Sequence, residues 1–301
     1  MVEVLINFLL NWLGRSALYA LTAIGFTIIF GVGGVLNLAH GASLTIGAFT
    51  TLVGFQRFSG SMGDVPALLL GLVVALVVVA VFNAILYLLF VRGLERVYAK
   101  PEQVALLVMI VTVLLALVVE EAVKLRFGED PQVLEQFVGG TIPGTNVTQN
   151  LALGFVVSWV LIAGLFVFIN RTKVGKALVA ASMSRRGARI VGVDIPRLFL
   201  VTWILAGVLA AIAGVFIGST YSMTYAMGRS PLVISFAIVI LGGLGSIRGS
   251  VIAAYFIGLL ETVTVTFVDP NLLGITSFLV LVLVLVVRPE GLYGRELQVG
   301  A

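Results

Sequence analysis

A histidine and a carboxyl stand inside long apolar stretches of this 301-residue chain: its single histidine, His40, and Glu261. Asn37 precedes His40 by three residues, so on a helix the two share a face, where they can meet a polar solute or cap a broken helix end. His40 can equally serve as a structural hydrogen-bonding group. Glu261 has Thr262, Thr264 and Thr266 beside it. A carboxyl in such a stretch faces a bundle interior or water, either as a solute contact, as a protonated group or as the partner of a base such as Arg15. None of this composes a catalytic site. There is no cysteine and no HExxH, GxSxG or GxxxxGK[ST] pattern, so metalloprotease, acyl-transfer and nucleotide-hydrolysis chemistry lack their parts, and no metal or resident cofactor is expected.

Glycine interrupts two of the apolar stretches. One interrupted stretch runs Gly31-Val32-Gly33-Gly34-Val35-Leu36-Asn37-Leu38-Ala39-His40-Gly41; the second runs Leu241-Gly242-Gly243-Leu244-Gly245-Ser246-Ile247-Arg248-Gly249. Glycine costs about 1 kcal/mol in a helix interior, and irregular backbone at membrane depth persists only where it is packed in protein or lines a cavity. Broken apolar segments in both halves of a chain point to a transport pathway through Asn37, His40, Gly41, Gly242, Gly243, Gly245 and Glu261. Tight helix packing through small residues is the alternative.

The elements that must position these groups follow from composition. The chain is 60% hydrophobic and 11% charged, with a mean hydropathy of +1.18. So few charges cannot cover a water-facing globule. Leu/Val/Ala-rich runs without period-2 alternation favour helices over an outer-membrane barrel, so the expected fold is all-α, one polytopic bundle over residues 1–301. Breaks at charged and Pro/Gly-rich positions divide it into about nine spans (eight to ten), near 5–31, 37–57, 66–91, 102–123, 151–170, 198–218, 231–246, 250–267 and 271–288. Glu3 before any base, and Arg15 behind the first apolar stretch, argue against a cleaved leader. An odd span count puts the ends on opposite sides. With the C-terminus inside, 13 of the 18 bases are cytoplasmic, among them Arg288 and Arg295, which sets the orientation as N-out, C-in.

Two hydrophilic segments exceed ordinary turns. The outer one, 124–150, is mildly acidic, and its Gly139, Gly140, Pro143 and Gly144 call for turns; it is a solvated connector or a docking surface for an external partner. The inner one, 171–197, reads as a helix over Lys176 to Met183, a second over Arg185 to Val191 capped by Ser184, and a stop at Gly192 and Pro196. Its seven bases suit anionic lipid. A folded apolar and basic helix pair between two spans is also what a soluble motor needs in order to push on a membrane domain.

Along nearly its whole length the chain resembles the LivH-type permeases of branched-chain amino-acid ABC importers, a family that also serves related amino acids, urea, amides and aromatic acids. The likeness is carried by Tyr19-Ala20-Leu21-Thr22-Ala23-Ile24-Gly25 with Asn37-Leu38-Ala39-His40-Gly41, by Leu94-Glu95-Arg96-Val97 before Pro101, and by Gly175-Lys176-Ala177 with Ala188-Arg189-Ile190-Val191-Gly192-Val193. Ala206-Gly207, Ala213-Gly214, the Leu241 to Gly249 stretch, Glu261 and the tail Arg288-Pro289-Glu290-Gly291-Leu292 complete it.

The resemblance implies a type II importer-like domain of the cytoplasmic (inner) membrane that moves amino acids, branched-chain ones first, by alternating access. It implies a second homologous permease subunit, two cytoplasmic ATPase subunits holding ATP-Mg, and an external substrate-binding protein; no nucleic-acid partner is expected. The 171–197 loop becomes the ATPase coupling element, with Val174, Gly175, Arg185, Arg186, Gly187, Ala188, Val191 and Gly192 in the contact. The chain departs from the family at Ser184-Arg185-Arg186-Gly187, where an acidic residue followed by small ones is common. A self-contained secondary transporter or channel is the rival reading, and only Glu261 and His40, on different spans, are available as its ion relay.

Overall fold

The computed structural model describes residues 2–98, 100–269, 272–287 and 291, so the tail motif from Arg288 to Leu292, Gly291 excepted, and Arg295 lie outside the described residues. The described residues are mostly helical; the longest connection is 128–148, and two isolated antiparallel bridges pair Gln132 with Met223 and Thr141 with Thr148. The helices are α1 Val2–Gly33, α2 His40–Met62, α3 Asp64–Ile85, α4 Arg92–Val97, α5 Pro101–Phe127, α6 Gln149–Arg171, α7 Lys173–Met183, α8 Arg185–Ile190, α9 Ile195–Thr220, α10 Arg229–Gly242, α11 Ile247–Phe267 and α12 Ile275–Val287.

Side-chain caps set several of the starts. Thr148, Thr172, Ser184, Asp194 and Ser246 each accept from the backbone N–H three residues on, contributing about 1 kcal/mol apiece. Pro196, expected to stop the inner helix pair, instead sits in the first turn of α9, where its missing N–H costs nothing because those amides have no intrahelical partner. The stop is Gly192 at φ +86°, closed by Val193 N–H on the Ala188 carbonyl at 3.0 Å. A π-helical turn, Leu86–Val91, joins α3 to α4 and has no signature in the sequence.

Each expected span overlaps a helix, although 37–39, 243–246 and 272–274 lie outside the helices. Among the described residues six stretches are long and apolar enough to cross a membrane: α1, the continuous helix Asp64–Val97, α5, α6, α9 and α11; α2 is not one of them, and α10 and α12 are shorter. The polarity of the bundle is inverted relative to a water-soluble protein. Val73, Val77 and Val81 on α3, Leu106, Ile110 and Leu117 on α5, and Val156, Val160 and Val167 on α6 are exposed at helical spacing, as lipid contact demands. α1 from Gly14 onward and α9 form the centre, with α1 packed on α6, α9, α10 and α11, and α2 between α3 and α9. A Cβ on Gly54 would lie 2.5 Å from the Gly71 Cα, which is how closely α2 and α3 approach.

On one side, α5 runs on to Phe127, four residues into the segment expected to be loop, and residues 139–148 turn as their glycines require, with Ile142 and Val147 paired at 2.9 Å. Gln132 pairs with Met223 in both directions, at 2.7 and 2.8 Å, and the Met223 and nearby Leu134 side chains are buried. On the opposite side, an apolar cluster of Ile29, Val32, Val35, Leu178, Ala181, Ala188, Leu198, Phe199 and Trp203 fastens α7 and α8 to the end of α1.

Candidate functional site

α1 stops at Gly33 because Gly34 takes φ +56°, a conformation an L side chain resists. The chain then turns back into the bundle. His40 Nε2 lies 2.9 Å from the Thr22 carbonyl oxygen, eleven residues before Gly33 and so roughly 16 Å back along α1. Six residues of irregular backbone therefore lie within the bundle, and their polar groups are met locally. Asn37 Oδ1 accepts from Ala39 N–H at 3.0 Å, the Asn37 carbonyl accepts from His40 N–H at 3.2 Å, and Thr112 Oγ1 accepts from Leu38 N–H at 3.1 Å.

Asn37 thus caps the approach to α2 and does not share a helix face with His40, since its side chain bonds the backbone that a helix would have used. Both residues are fully buried. Asn37 Nδ2 and His40 Nδ1 have no hydrogen-bond partner among the described residues. The His40 ring stands edge-on to Phe26, centroids 5.9 Å apart, in space left by Gly25.

α10 stops at Gly242 through Gly243 and Gly245, at φ +93° and +85°, and Ser246 caps α11 by accepting from Gly249 N–H at 3.1 Å. Here the backbones touch. A Cβ on Gly242 would lie 2.5 Å from the Gly249 carbonyl carbon, and one on Gly249 would overlap the Gly242 carbonyl oxygen. The breaks abut each other: a Cβ on Gly31 would come within 3.1 Å of the Gly245 Cα, and Thr27 Oγ1 and Ser250 Oγ are 2.6 Å apart beside them. Gly41 lies against Gly228, joining the start of α2 to the start of α10.

Glu261 stands apart from this group. Its carboxylate accepts from Tyr19 Oη at 2.9 Å, from Gly274 N–H at 3.1 Å and from Ser277 Oγ at 2.5 Å, which stitches α11 to α1 and to the start of α12. Arg15 does not pair with it. The Arg15 Nε donates to Tyr221 Oη at 2.9 Å, and the guanidinium lies 5.2 Å from the centre of that ring. Tyr19, Gly274 and Ser277 were not singled out in the sequence as ligands of this carboxylate, because nothing local links positions so far apart. Asn37, His40 and Glu261 are all absent from the walls of a cavity of about 220 Å³ that opens beside Arg15 and Tyr221.

The residues expected to meet an ATPase divide between two faces. Val174, Arg186, Gly187, Val191 and Gly192 are exposed, with Val191 75% exposed and its neighbour Ile190 78%. Gly175, Ala188 and Arg185 turn inward. A Cβ on Gly175 would strike the Phe168 carbonyl oxygen, so glycine permits the sharp turn from α6 into α7. Arg185 reaches the end of α1: its Nε donates to the Val32 carbonyl at 3.1 Å, its Nη2 donates to the Gly33 carbonyl, and it stacks 4.9 Å from the Phe199 ring centre. Burial pulls the Arg185 pKa below its ordinary value, and the nearby Glu95 carboxylate opposes that pull. A cation on the last carbonyls of a helix is favoured both by hydrogen bonding and by the helix dipole. Among the described residues no three His, Asp or Glu side chains gather as metal ligands.

The family model for the branched-chain amino acid transport system permease component matches residues 8–287. The chain is 27% identical over 297 residues to the high-affinity branched-chain amino acid transport system permease protein LivH of Escherichia coli K12, covering 95% of this chain and 94% of that one. It is 29% identical over 300 residues to a probable branched-chain amino acid transport permease protein LivH of Methanocaldococcus jannaschii, covering 93% and 90%. It is similar at 23% over 281 residues to the ribose import permease protein RbsC of Escherichia coli K12, covering 91% and 80%. No solved structure matches the chain significantly.

Proposed function

Since the chain belongs to the family of branched-chain amino acid transport permease components, we propose that it is the membrane-spanning subunit of an ATP-driven importer that carries branched-chain amino acids into the cell by alternating access. It is a multi-pass protein of the cytoplasmic membrane. It holds no ATPase site of its own. It works beside a second homologous permease, two ATPase subunits that bind ATP-Mg, and an external substrate-binding protein. In this reading α2, α10 and α12 join the six long stretches as spans, about nine in all, oriented N-out and C-in, so that 171–197 faces the cytoplasm.

One observation carries the mechanism: Arg185 joins the inner helix pair to the last carbonyls of α1, at the point where the first break begins. The exposed apolar and basic face of α7 and α8 offers the ATPase its contact, through Val174, Arg186, Gly187, Val191 and Gly192. The inward face passes displacement to the end of α1 and, through Gly31 and Gly245, to the second break. Two membrane-domain states that start at 1:99 need about 5.5 kcal/mol of differential ATPase affinity to reach 99:1. ATP binding and hydrolysis supply it on the partner subunits. The substrate path follows the segments around Asn37, His40, Gly41 and Gly242 to Gly249; along it Asn37 Nδ2 and His40 Nδ1 have no hydrogen-bond partner among the described residues.

A self-contained carrier fits less well. Glu261, its best ion ligand, already has both carboxylate oxygens taken by three protein donors. Purification of the tagged chain from its host in mild detergent, followed by reconstitution into vesicles, tests the reading. Recovery of a second permease with ATP-hydrolysing subunits, and leucine uptake that requires ATP, is the expected result; uptake by the chain alone down an ion gradient would refute it. Gly187→Trp in the assembled transporter should leave ATP hydrolysis running and abolish uptake.

A further inference from the structure

The cavity beside Arg15 takes no part in the coupling path just described. It lies where α1, the end of α9 and the start of α10 meet, with Arg15, Tyr221 and Thr224 supplying polar walls and Leu18, Ile217 and Ile234 apolar ones. Arg15 sits in α1 with a single hydrogen bond, from its Nε to Tyr221, and no acid within ion-pairing distance among the described residues. A guanidinium inside a membrane domain with no carboxylate bonded to it is costly, and such groups face a water-filled cavity or a solute path. Glu261, the nearby acid, already accepts three protein donors. The Nη groups therefore remain available as a planar pair of donors, the arrangement that suits a carboxylate.

Size and the apolar walls together select the ligand, since aspartate and asparagine match leucine in heavy atoms but not in the surface they offer Leu18, Ile217 and Ile234. On the scale where a cavity of roughly 150 Å³ holds benzene, with its six heavy atoms, 220 Å³ holds about nine, which is a leucine or an isoleucine. We propose that this cavity is a receiving site for an aliphatic amino acid, its carboxylate on Arg15 and its side chain against Leu18, Ile217 and Ile234, occupied before the solute reaches the glycine breaks. The inference rests on the importer reading and adds a first stop on the outer side. Arg15 is a binding residue for the carboxylate. Thr224 and Ser230, whose hydroxyls make no hydrogen bond among the described residues, line the same cavity and can accept from the ammonium group.

The test uses the assembled transporter in nanodiscs without its binding protein, and reads equilibrium binding of radiolabelled leucine. Leucinamide, which has the same shape without the carboxylate charge, should compete at least about tenfold more weakly than leucine, and Arg15→Met should weaken leucine binding by a similar factor, with Arg15→Lys between. Equal competition by leucinamide, unchanged binding in Arg15→Met, or no leucine binding to the wild-type complex would each overturn the site. The leucinamide comparison needs no variant, so it holds even where Arg15→Met fails to fold. ATP-dependent leucine uptake by the wild-type complex is measured alongside: its presence with any of those contrary results removes the cavity site alone, while its absence removes the importer reading beneath it.

Discussion

At residues 34–39 the chain leaves α1 and runs back into the bundle on side-chain contacts: Asn37 on Ala39, Thr112 on Leu38, Arg185 on Val32 and Gly33. At residues 243–246 it passes from α10 to α11 with the backbones of Gly242 and Gly249 in direct contact and a serine cap. The first junction is held by groups that can exchange partners at little cost; the second is held by the absence of side chains. A hinge needs alternatives of similar energy, and close-packed backbone offers none. In the mechanism proposed above, the first break is the moving part and the second the seat against which it moves, with Gly31 beside Gly245 at their contact.

Substitutions at the two breaks can overturn that assignment. Gly249→Val should have the largest effect, because its Cβ would meet the Gly242 carbonyl and backbone on both sides cannot yield; a loss of about 3 kcal/mol or more is expected, read as loss of folded protein in detergent or a collapse in Tm. Glu261→Leu comes next. It would orphan Tyr19 Oη, the Gly274 amide and Ser277 Oγ, at about 1–3 kcal/mol for each buried group, whereas Glu261→Gln keeps an acceptor for the last two and should be nearly neutral in the same melt. A Gln variant as unstable as the Leu variant would mean that the negative charge itself is required.

Gly34→Ala should cost about 1–2 kcal/mol for its positive φ alone, since the added Cβ would meet only Arg185 Nη2 at an ordinary 3.4 Å. A cost equal to that of Gly249→Val would erase the distinction between the junctions. Asn37→Ala should be the mildest, about 1 kcal/mol, by loss of the bond to Ala39 N–H, and is checked by the same thermal melt with leucine uptake measured beside it.

The two breaks were legible in the sequence because glycine is expensive in a helix and both runs interrupt apolar stretches. Ser184 was legible as a cap because its neighbours are a helix former and a basic turn. Other features had no local cause to betray them. The inward turn of Arg185 depends on Phe199 and on carbonyls about 150 residues away in sequence, and a base in this loop reads the same whether it faces lipid, an ATPase or a helix end. The Tyr19 to Glu261 bond spans 242 residues, and either residue alone is only a polar group in an apolar helix. Pro196 was misplaced because proline ends one helix and starts another with equal ease, and only the Asp194 cap on Arg197 N–H decides which. Asn37 followed the same logic: three-residue spacing to His40 matters only if the intervening backbone is helical, and Gly34 prevents that.

The coupling claim is tested most directly by counting ATP hydrolysed per leucine taken up in vesicles holding the complete transporter, wild-type against Arg185→Ala, with Arg185→Lys as the variant that keeps the charge. We expect a fixed ratio in the wild type, and in Arg185→Ala continued hydrolysis with uptake reduced about tenfold or more, partly restored by lysine. An unchanged ratio in Arg185→Ala, or leucine uptake that proceeds without ATP, would contradict it.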